Sequence, residues 1–206
     1  MARKAVAQEL SRERILSGAK ELFGAYGYRT LTMRSIAKSL GYSHGALYYH
    51  FTEKAELLYE LILRDFNEMI LRQRKMVTEA PHVNIDILRS VMLDFIQFGL
   101  SHRYHYEVIF MMNEEELTSY SKADQARYLE LFSGIICEIT WGTECVNSQF
   151  TLPWNIFMSL HGYIAYHIFY GQAFEQVQEL AENHVNYLCG IVEMHQQQAP
   201  PLQFTS

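Results

Sequence analysis

The stretch TMRSIAKSLGYSHGALYYHFTEKAEL, residues 32–57, constrains this chain more than any other segment. Thr32 can cap the start of one helix, Gly41 can end that helix, and Ser43 can cap the start of the next. The pattern therefore predicts two very short helices in succession and the start of a third.

The second of these short helices, which we expect to run to about His50, divides into two faces. At about 100° per residue, Leu47 and Phe51 point the same way and would pack on the preceding helices. Gly45 and Tyr49 then lie on the opposite face. A glycine on an exposed helical face allows another surface to approach the backbone closely. The alternative is that Tyr48 and Tyr49 are partly buried contacts inside a larger bundle.

The rest of the chain also follows a helical pattern, because Pro and Gly are sparse and no long segment alternates apolar and polar residues. We expect an all-α fold of about nine helices. Thr52 is the expected N-cap of the fourth helix, and Gly27 is expected to end the first. The remaining segments predict a short helix in YEVIFMM, a solvated loop or helix end in NEEELTS, a seventh helix over 122–139, and two long helices from Pro153 and Phe174.

Charge is distributed unevenly along the chain, although the net charge is −6. Residues 1–54 contain nine Lys or Arg and four acids, whereas residues 55–206 contain eight Lys or Arg and nineteen acids. A basic first quarter joined to an acidic remainder suggests two functions in one chain, and chance clustering is the alternative. We expect a DNA-binding domain over 1–55, a helical effector-binding and dimerisation domain over 56–198, and a flexible tail over 199–206.

The sequence favours a cytoplasmic protein. Its charged start lacks the apolar run of a secretory peptide, and no stretch of about twenty apolar residues could span a bilayer. The three cysteines are widely spaced and lie outside any CxxC pattern, which fits reduced thiols.

The segment RILSGAKELFGAYGYRTLTMRSIAKSLGYSHGALYYHFTEKAELL resembles the N-terminal domain of TetR-family transcriptional repressors along its whole length. Two parts carry the resemblance, namely AKELFGAYGY in the first helix and LYYHF followed three residues later by Lys54. The resemblance covers about a quarter of the chain. It implies a helix–turn–helix, in which one helix enters the major groove while its neighbours hold the DNA backbone.

The resemblance also implies which side chains contact DNA. Thr32 and Arg34 would contact phosphates ahead of the recognition helix. The positions expected to approach base edges are Ser43, His44, Gly45 and Ala46, and those expected to hold the sugar-phosphate backbone are Tyr48, Tyr49, His50 and Lys54. Many relatives carry Thr or Asn at position 46, so Ala46 leaves only contact with a thymine methyl there. His44 is then a candidate for direct readout, and contact with phosphate is the alternative.

The acidic remainder predicts a dimer and an effector pocket. Its last two helices carry more apolar surface than one monomer needs, and in this family two such helices pair with their twofold mates. Many aromatic residues and nine methionines suit a deformable apolar cavity for a small effector. Ordinary core packing is the alternative for each candidate, and His161 could instead satisfy a backbone carbonyl. The candidates are Phe66, Met92, Phe95, Tyr106, Phe110, Phe132, Ile136, Trp154, Met158 and His161.

Enzymatic and metal-binding functions have little support in the sequence. His102 and His105 are three residues apart, but a single HxxH without a third ligand is a weak zinc signal. No nucleophile elbow, Gly-rich phosphate loop or paired-carboxylate signature occurs, and we expect no cofactor.

These patterns predict a homodimeric transcriptional regulator, most simply a repressor released from a palindromic DNA operator by a small apolar effector. Two alternatives remain open at this point. One is a helical ligand-carrying or enzymatic protein in which the short helices are only scaffold. The other is a non-inducible architectural DNA binder.

Overall fold

The computed structural model describes residues 9–113, 115–142 and 151–198. These residues form nine α-helices and one π-helical turn, without a β-strand among them, so the predicted all-α class is confirmed. The helices are α1 (Arg12–Thr30), α2 (Met33–Leu40), α3 (His44–Tyr48), α4 (Lys54–Thr78), α5 (Ile85–Ser101), α6 (Arg103–Tyr106), α7 (Glu115–Trp141), α8 (Thr151–Phe169) and α9 (Phe174–Gln198); the π-helical turn spans Glu107–Met111. The predicted tail over 199–206 lies outside the described residues.

Helix α4 connects the two parts of the fold. Its 25 residues correspond to a length of about 37 Å at 1.5 Å per residue. Near its start Ala55 and Leu58 are buried, and near its end Met69 and Gln73 are buried. The first part of α4 contacts α1, and the helix also packs on α5 and α7. One helix therefore belongs to the cores of both halves.

Helix α1 breaks at Gly27 but continues to Thr30, whereas the sequence predicted that it would end at Gly27. Gly27 has φ 71° and ψ 179°, a backbone conformation that an L side chain rarely adopts. A Cβ atom at this position would lie 2.8 Å from the ring of Tyr104. Glycine thus allows the end of α1 to turn and allows α6 to approach it.

Two predicted helix starts differ from those observed. Helix α7 begins at Glu115 rather than near Lys122, because its first turns are anchored by the buried side chains of Leu117 and Ser121. The N-cap of α4 is Glu53 rather than Thr52. The Thr52 backbone N–H and hydroxyl instead donate to Glu56, at 2.7 and 2.8 Å.

The segment YEVIFMM, predicted as one short helix, contains the last residue of α6 and the π-helical turn. A π turn is rare and often lies at a functional site. Here Gln125 of α7 donates a side-chain hydrogen bond to the carbonyl of Ile109, inside the turn. This contact ties the π-helical turn to α7.

Two of the cysteines differ in their chemical state. Cys137 is disulfide-bonded, so the expectation of three reduced thiols is wrong for this residue, whereas Cys189 is a buried free thiol.

In the part of the chain that the structure describes, no helix has the length and apolar character needed to cross a bilayer.

Asp65 on α4 joins three helices at the boundary between the two halves. One carboxylate oxygen lies 3.2 Å from Lys20 Nζ of α1 and 3.1 Å from His105 Nε2 of α6. The contact with His105 lowers the pKa of Asp65 to about 2; burial opposes this change, and Lys20 adds to it. The Asp65 carboxylate is therefore charged in the folded protein and favours the folded state.

We expect Asp65→Asn to lower the free energy of unfolding by about 2 kcal/mol at pH 7. Because the folded-state pKa lies below the ordinary value of 3.8, this stabilisation is present above about pH 4 and is lost as the pH falls toward 2. The difference between wild type and variant, measured by urea unfolding, should therefore shrink below pH 4. Glu68→Gln, an exposed position on the same helix, should change stability by less than about 0.5 kcal/mol. A constant difference from pH 7 to pH 3 would contradict the assignment.

Candidate nucleic-acid interface

Helices α2 and α3 are joined by a tight turn whose capping is complete. Gly41 has φ 79°, and its N–H donates to the carbonyls of Ala37 and Lys38. The Tyr42 N–H also donates to the Ala37 carbonyl, at 3.0 Å. The Ser43 hydroxyl then accepts from the Ala46 N–H at 3.3 Å and starts α3. These local bonds fix the angle between the two helices, which is the geometry of a helix–turn–helix.

Helix α3 has one buried face and one open face, as the sequence predicted. Leu47 and Phe51 are completely buried against the preceding helices. On the other face Tyr49 is 89% exposed, and a methyl group added at Gly45 would meet no atom within 4 Å. Tyr48 is 46% exposed and lies edge-on to the ring of His44, with centroids 4.8 Å apart. This open face is the surface that a double helix could contact.

The residues before the recognition helix are also placed at the surface. Thr32 and Ser35 form a reciprocal capping box at the start of α2, with the Ser35 N–H donating to Thr32 Oγ1 at 3.0 Å. Arg34 lies in the first turn of the same helix with an exposed side chain, and Ser43 and His44 are exposed at the start of α3. Ala46 is half-buried. We name the surface formed by Thr32, Arg34, Ser43, His44, Gly45, Ala46, Tyr48 and Tyr49 the reading surface.

Lys54 and His50 are placed differently from the other predicted contacts. The Lys54 ammonium lies 3.8 Å from the centre of the Tyr28 ring and donates to the Tyr28 carbonyl at 3.3 Å. His50 is half-buried, and its ring lies edge-on to that of Tyr49. Lys54 therefore holds the end of α1 against the start of α4, a role that the sequence did not predict. A phosphate contact from Lys54 would have to compete with Tyr28.

Arg12 is a residue of this region that sequence reasoning missed. Its guanidinium donates to the His50 carbonyl and pairs with Glu56 and Glu60 of α4. It also lies 4.0 Å from the centre of the Phe51 ring. Arg12 thus ties the start of α1 to the end of the reading surface. Its separation of 38 or more residues from these partners left no local signal in the sequence.

Most of the predicted effector contacts lie together in an aromatic cluster inside the C-terminal half. We define the aromatic cluster as Phe66, Phe95, Tyr106, Phe110, Tyr128, Phe132 and Phe157, whose rings contact one another with centroid distances of 4.6–6.3 Å. Met92 and Ile136 are also buried in this core, and His161 borders it through a 2.7 Å hydrogen bond with the Tyr106 hydroxyl. Tyr128 and Phe157 were not among the predicted contacts.

Two predicted effector contacts are partly exposed, although the ring of Trp154 still lies 6.0 Å from that of Phe157 in the aromatic cluster. Trp154 and Met158 on α8 are each 42% exposed and share a face with other exposed apolar side chains. The sequence pattern could not separate this face from an inward one, because α8 is apolar nearly all round. Their exposure suits an intermolecular contact better than an internal pocket.

Several cavities lie outside the aromatic cluster. One of about 460 Å³ lies between the end of α7, the start of α8 and the end of α9, and Trp141, Asn155 and Tyr187 are among its lining residues. Another, of about 350 Å³, lies between the two halves of the chain and is lined by Tyr26, Gly27, Tyr28, Arg29, Tyr104, Glu107, Met111 and Met112. Burial raises the pKa of Glu107 in the second cavity, and nearby Arg103 and Arg29 oppose that change.

The capped turn, the buried Leu47 and the open face of α3 define a helix–turn–helix protein. Comparison with known proteins agrees with this class. Residues 15–61 match the family of bacterial regulatory proteins called the tetR family. This match confirms, over the N-terminal domain, the resemblance that the sequence predicts.

Relatives of similar sequence are regulators rather than enzymes. The HTH-type transcriptional regulator SAR2658 of Staphylococcus aureus is 34% identical over 123 residues, which are 59% of this chain and 63% of that protein. The HTH-type transcriptional regulator UidR of Escherichia coli is 34% identical over 89 residues, 43% of this chain and 45% of that protein. The chain thus matches less than two thirds of the length of each. These names agree with the expectation of a regulator and not an enzyme.

Solved structures share the fold over nearly the whole chain. The transcriptional regulator FadR from Bacillus subtilis, in complex with stearoyl-CoA, superposes with a TM-score of 0.68 and 17% identity, covering 90% of this chain and 99% of that one. The TetR-family regulator PfmR from Thermus thermophilus gives a TM-score of 0.62 and 21% identity, covering 86% of this chain and 97% of that one. At these identities the likeness establishes the fold alone.

Substitutions on the two faces of α3 should differ in their effects on stability. Leu47→Ala should lower the free energy of unfolding by about 3 kcal/mol, because it leaves a cavity in a fully buried site. Tyr49→Ala should change it by less than about 0.5 kcal/mol, because that side chain is open to water. Urea unfolding of both variants measures the difference, and a loss above about 1 kcal/mol in Tyr49→Ala would show that Tyr49 is a packing residue.

Proposed function

We propose that this protein is a homodimeric transcriptional regulator that binds a palindromic DNA operator through its reading surface. We further propose that it acts as a repressor and that a small, largely apolar effector releases it. The observation that carries this proposal is the construction of α3, in which Leu47 and Phe51 are sealed in the core while Gly45 and Tyr49 are left open.

The chemistry of the reading surface suits double-stranded DNA. Gly45 allows the backbone of α3 to approach base edges closely, and the hydroxyls of Tyr48 and Tyr49 can donate to phosphate oxygens. Arg34 supplies a cation on the neighbouring helix. The first 54 residues carry a net charge of +5, which favours a polyanion even though the whole chain is acidic.

A dimer is favoured by the exposed apolar faces of α8 and α9. Tyr166 and Phe169 on α8 and Leu180 on α9 are more than half exposed. Gly162 and Gly190 lie on the same two helices with no atom within 4 Å of an added methyl group, so a partner helix could approach closely there. Two copies related by a twofold axis would place two α3 helices for successive major grooves, about 34–36 Å apart.

Release by an effector is favoured by contacts that join the two halves. Helix α4 follows the reading surface at its start and enters the aromatic cluster farther along. The Tyr120 hydroxyl of α7 donates to Glu53 at 3.0 Å, and the Tyr59 hydroxyl of α4 donates to Asp124 of α7 at 2.6 Å. An effector that shifts α7 relative to α4 would therefore change the spacing of the two reading surfaces. A coupling of about 1–3 kcal/mol is typical of such a population shift.

Tyr49→Ala should weaken binding to the operator about tenfold, because it removes a hydroxyl and a ring from the centre of the reading surface. Fluorescence anisotropy at moderate salt, with a duplex selected by the wild-type protein from random sequences, measures the effect. Tyr26→Ala is the matched control, since Tyr26 is also an exposed tyrosine of the N-terminal domain but faces the cavity against α6. Unchanged affinity in Tyr49→Ala would exclude this face as the DNA contact.

Leu180→Glu should convert the dimer to a monomer, because a buried unpaired carboxylate is costly at an apolar interface. Analytical ultracentrifugation measures the mass, and operator affinity should fall with it. Leu71→Glu is the matched control, because Leu71 is a similarly exposed leucine on α4. A wild-type protein that sediments as a monomer on operator DNA would refute the dimeric mode.

A further inference from the structure

The cavity of about 350 Å³ at the boundary between the two halves is separate from the aromatic cluster. One wall is the end of α1, from Tyr26 to Arg29, and the opposite wall is formed by α6, the π-helical turn and Met112. Its lining includes three tyrosines, two methionines and one carboxylate, that of Glu107. No member of the aromatic cluster is among the described residues that line it. Its volume suits a small molecule of its own.

Glu107 is the acidic group of this cavity, and its charge is not neutralised at close range. The side chain is half-buried. Burial raises the pKa of Glu107, and the charges of Arg103 and Arg29 oppose that rise. In the part of the chain that the structure describes, neither arginine forms an ion pair or a hydrogen bond with the Glu107 carboxylate. Burial therefore outweighs both arginines, and the carboxylate still lacks a compensating cation.

Asp65, another carboxylate at the boundary between the halves, has the compensation that Glu107 lacks. Lys20 Nζ and His105 Nε2 lie 3.2 and 3.1 Å from Asp65 Oδ2. These contacts lower the pKa of Asp65 to about 2, although burial acts in the opposite direction. The described part of the chain supplies no such partner to Glu107. A cation from outside the chain can take that place.

The walls of the cavity accept positive charge, although two arginines lie near the carboxylate. Arg103 is engaged with Tyr104, because its guanidinium donates to the Tyr104 hydroxyl at 2.8 Å and lies 4.5 Å from the centre of that ring. Arg29 is exposed, so water and salt screen its charge. The tyrosine rings themselves attract cations, since the Lys54 ammonium lies 3.8 Å from the centre of the Tyr28 ring.

We propose that this cavity is a binding site for a small organic cation, namely a protonated amine with an apolar body. The ammonium group of the ligand donates to the Glu107 carboxylate. The apolar body lies against the thioethers of Met111 and Met112 and the nearby tyrosine rings. This inference goes beyond the proposed function, because binding of the amine requires neither DNA nor the aromatic cluster.

Two other classes of ligand fit the cavity less well. A bare metal ion needs several ligating side chains, and among the described residues no group of three or more His, Cys, Asp or Glu could hold one. A carboxylate ligand would bring a second negative charge to a place where burial already disfavours that of Glu107. An apolar amine supplies the missing positive charge and also fills the space between the rings and thioethers.

Three probes of similar size test the proposal on the full-length protein without DNA. 4-Phenylbutylamine carries a cation, 4-phenylbutanol is its neutral counterpart, and 4-phenylbutyrate carries an anion. By isothermal titration calorimetry the wild-type protein should bind the amine about tenfold more tightly than the alcohol, and the anion more weakly than both. Glu107→Gln should bring the ratio of amine to alcohol affinity close to one.

A glutamate outside the cavity provides the matched control. The chain carries a net charge of −6, so any cation gains a general attraction to it. Glu21→Gln makes the same change of charge at an exposed position on α1 and should preserve the ratio. Met111→Lys places an ammonium group in the cavity and should bring the ratio close to one without removing the carboxylate.

Thermal unfolding without ligand supplies a second readout. Because burial disfavours the charge of Glu107, Glu107→Gln should melt at the same temperature as the wild type or higher. A lower melting temperature would mean that the carboxylate already has an internal partner and would overturn the proposal. Absent amine binding, equal affinities for amine and alcohol in the wild type, or tighter binding of the anion would also overturn it. So would an unchanged ratio in Glu107→Gln, or an equal loss of the ratio in Glu21→Gln.

Discussion

The structure depends on the burial of one continuous face of α4. From Ala55 to Gln73 this helix supplies side chains first to the small N-terminal core and then to the aromatic core. Apolar burial of this extent contributes roughly 25 cal/mol per Å² and holds both halves on a single rigid element. The N-terminal half therefore cannot tilt without disturbing α4, and α4 cannot tilt without disturbing its contacts with α5 and α7. A conformational change in the effector region therefore has to move α4 in order to reach the reading surface.

Local rules predicted the reading surface well because its structure is set locally. Gly41, Ser43 and the spacing of Leu47 and Phe51 determine the two short helices through caps and a period of about 3.6 residues, which a sequence displays directly. The inside and outside faces of α3 follow from the same spacing. Lys54 and Arg12 were the exceptions, because their partners are decided by the packing of distant helices.

For the effector region, the sequence predicted which kinds of residue are present but not how they are arranged in space. An excess of aromatic residues indicated an aromatic core, but nothing in the sequence distinguished Trp154, which is half open on α8, from Phe157, which is buried three residues later. Gln73 and Tyr128 lie far apart in the sequence, and their contact depends on how α4 and α7 pack. The early start of α7 also depends on tertiary packing, because the burial of Leu117 stabilises the first turns of this helix.

The π-helical turn and the helix before it lie between the two halves of the fold. The helical path ends with the π turn, because the backbone is extended at Met112. Residues three or four apart share a helical face, so Tyr104 and Glu107 lie toward the end of α1 whereas Tyr106 and Phe110 lie toward the interior. This short segment therefore contacts both halves of the fold, and deleting a single residue from it would turn the side chains on one of its faces away from their partners.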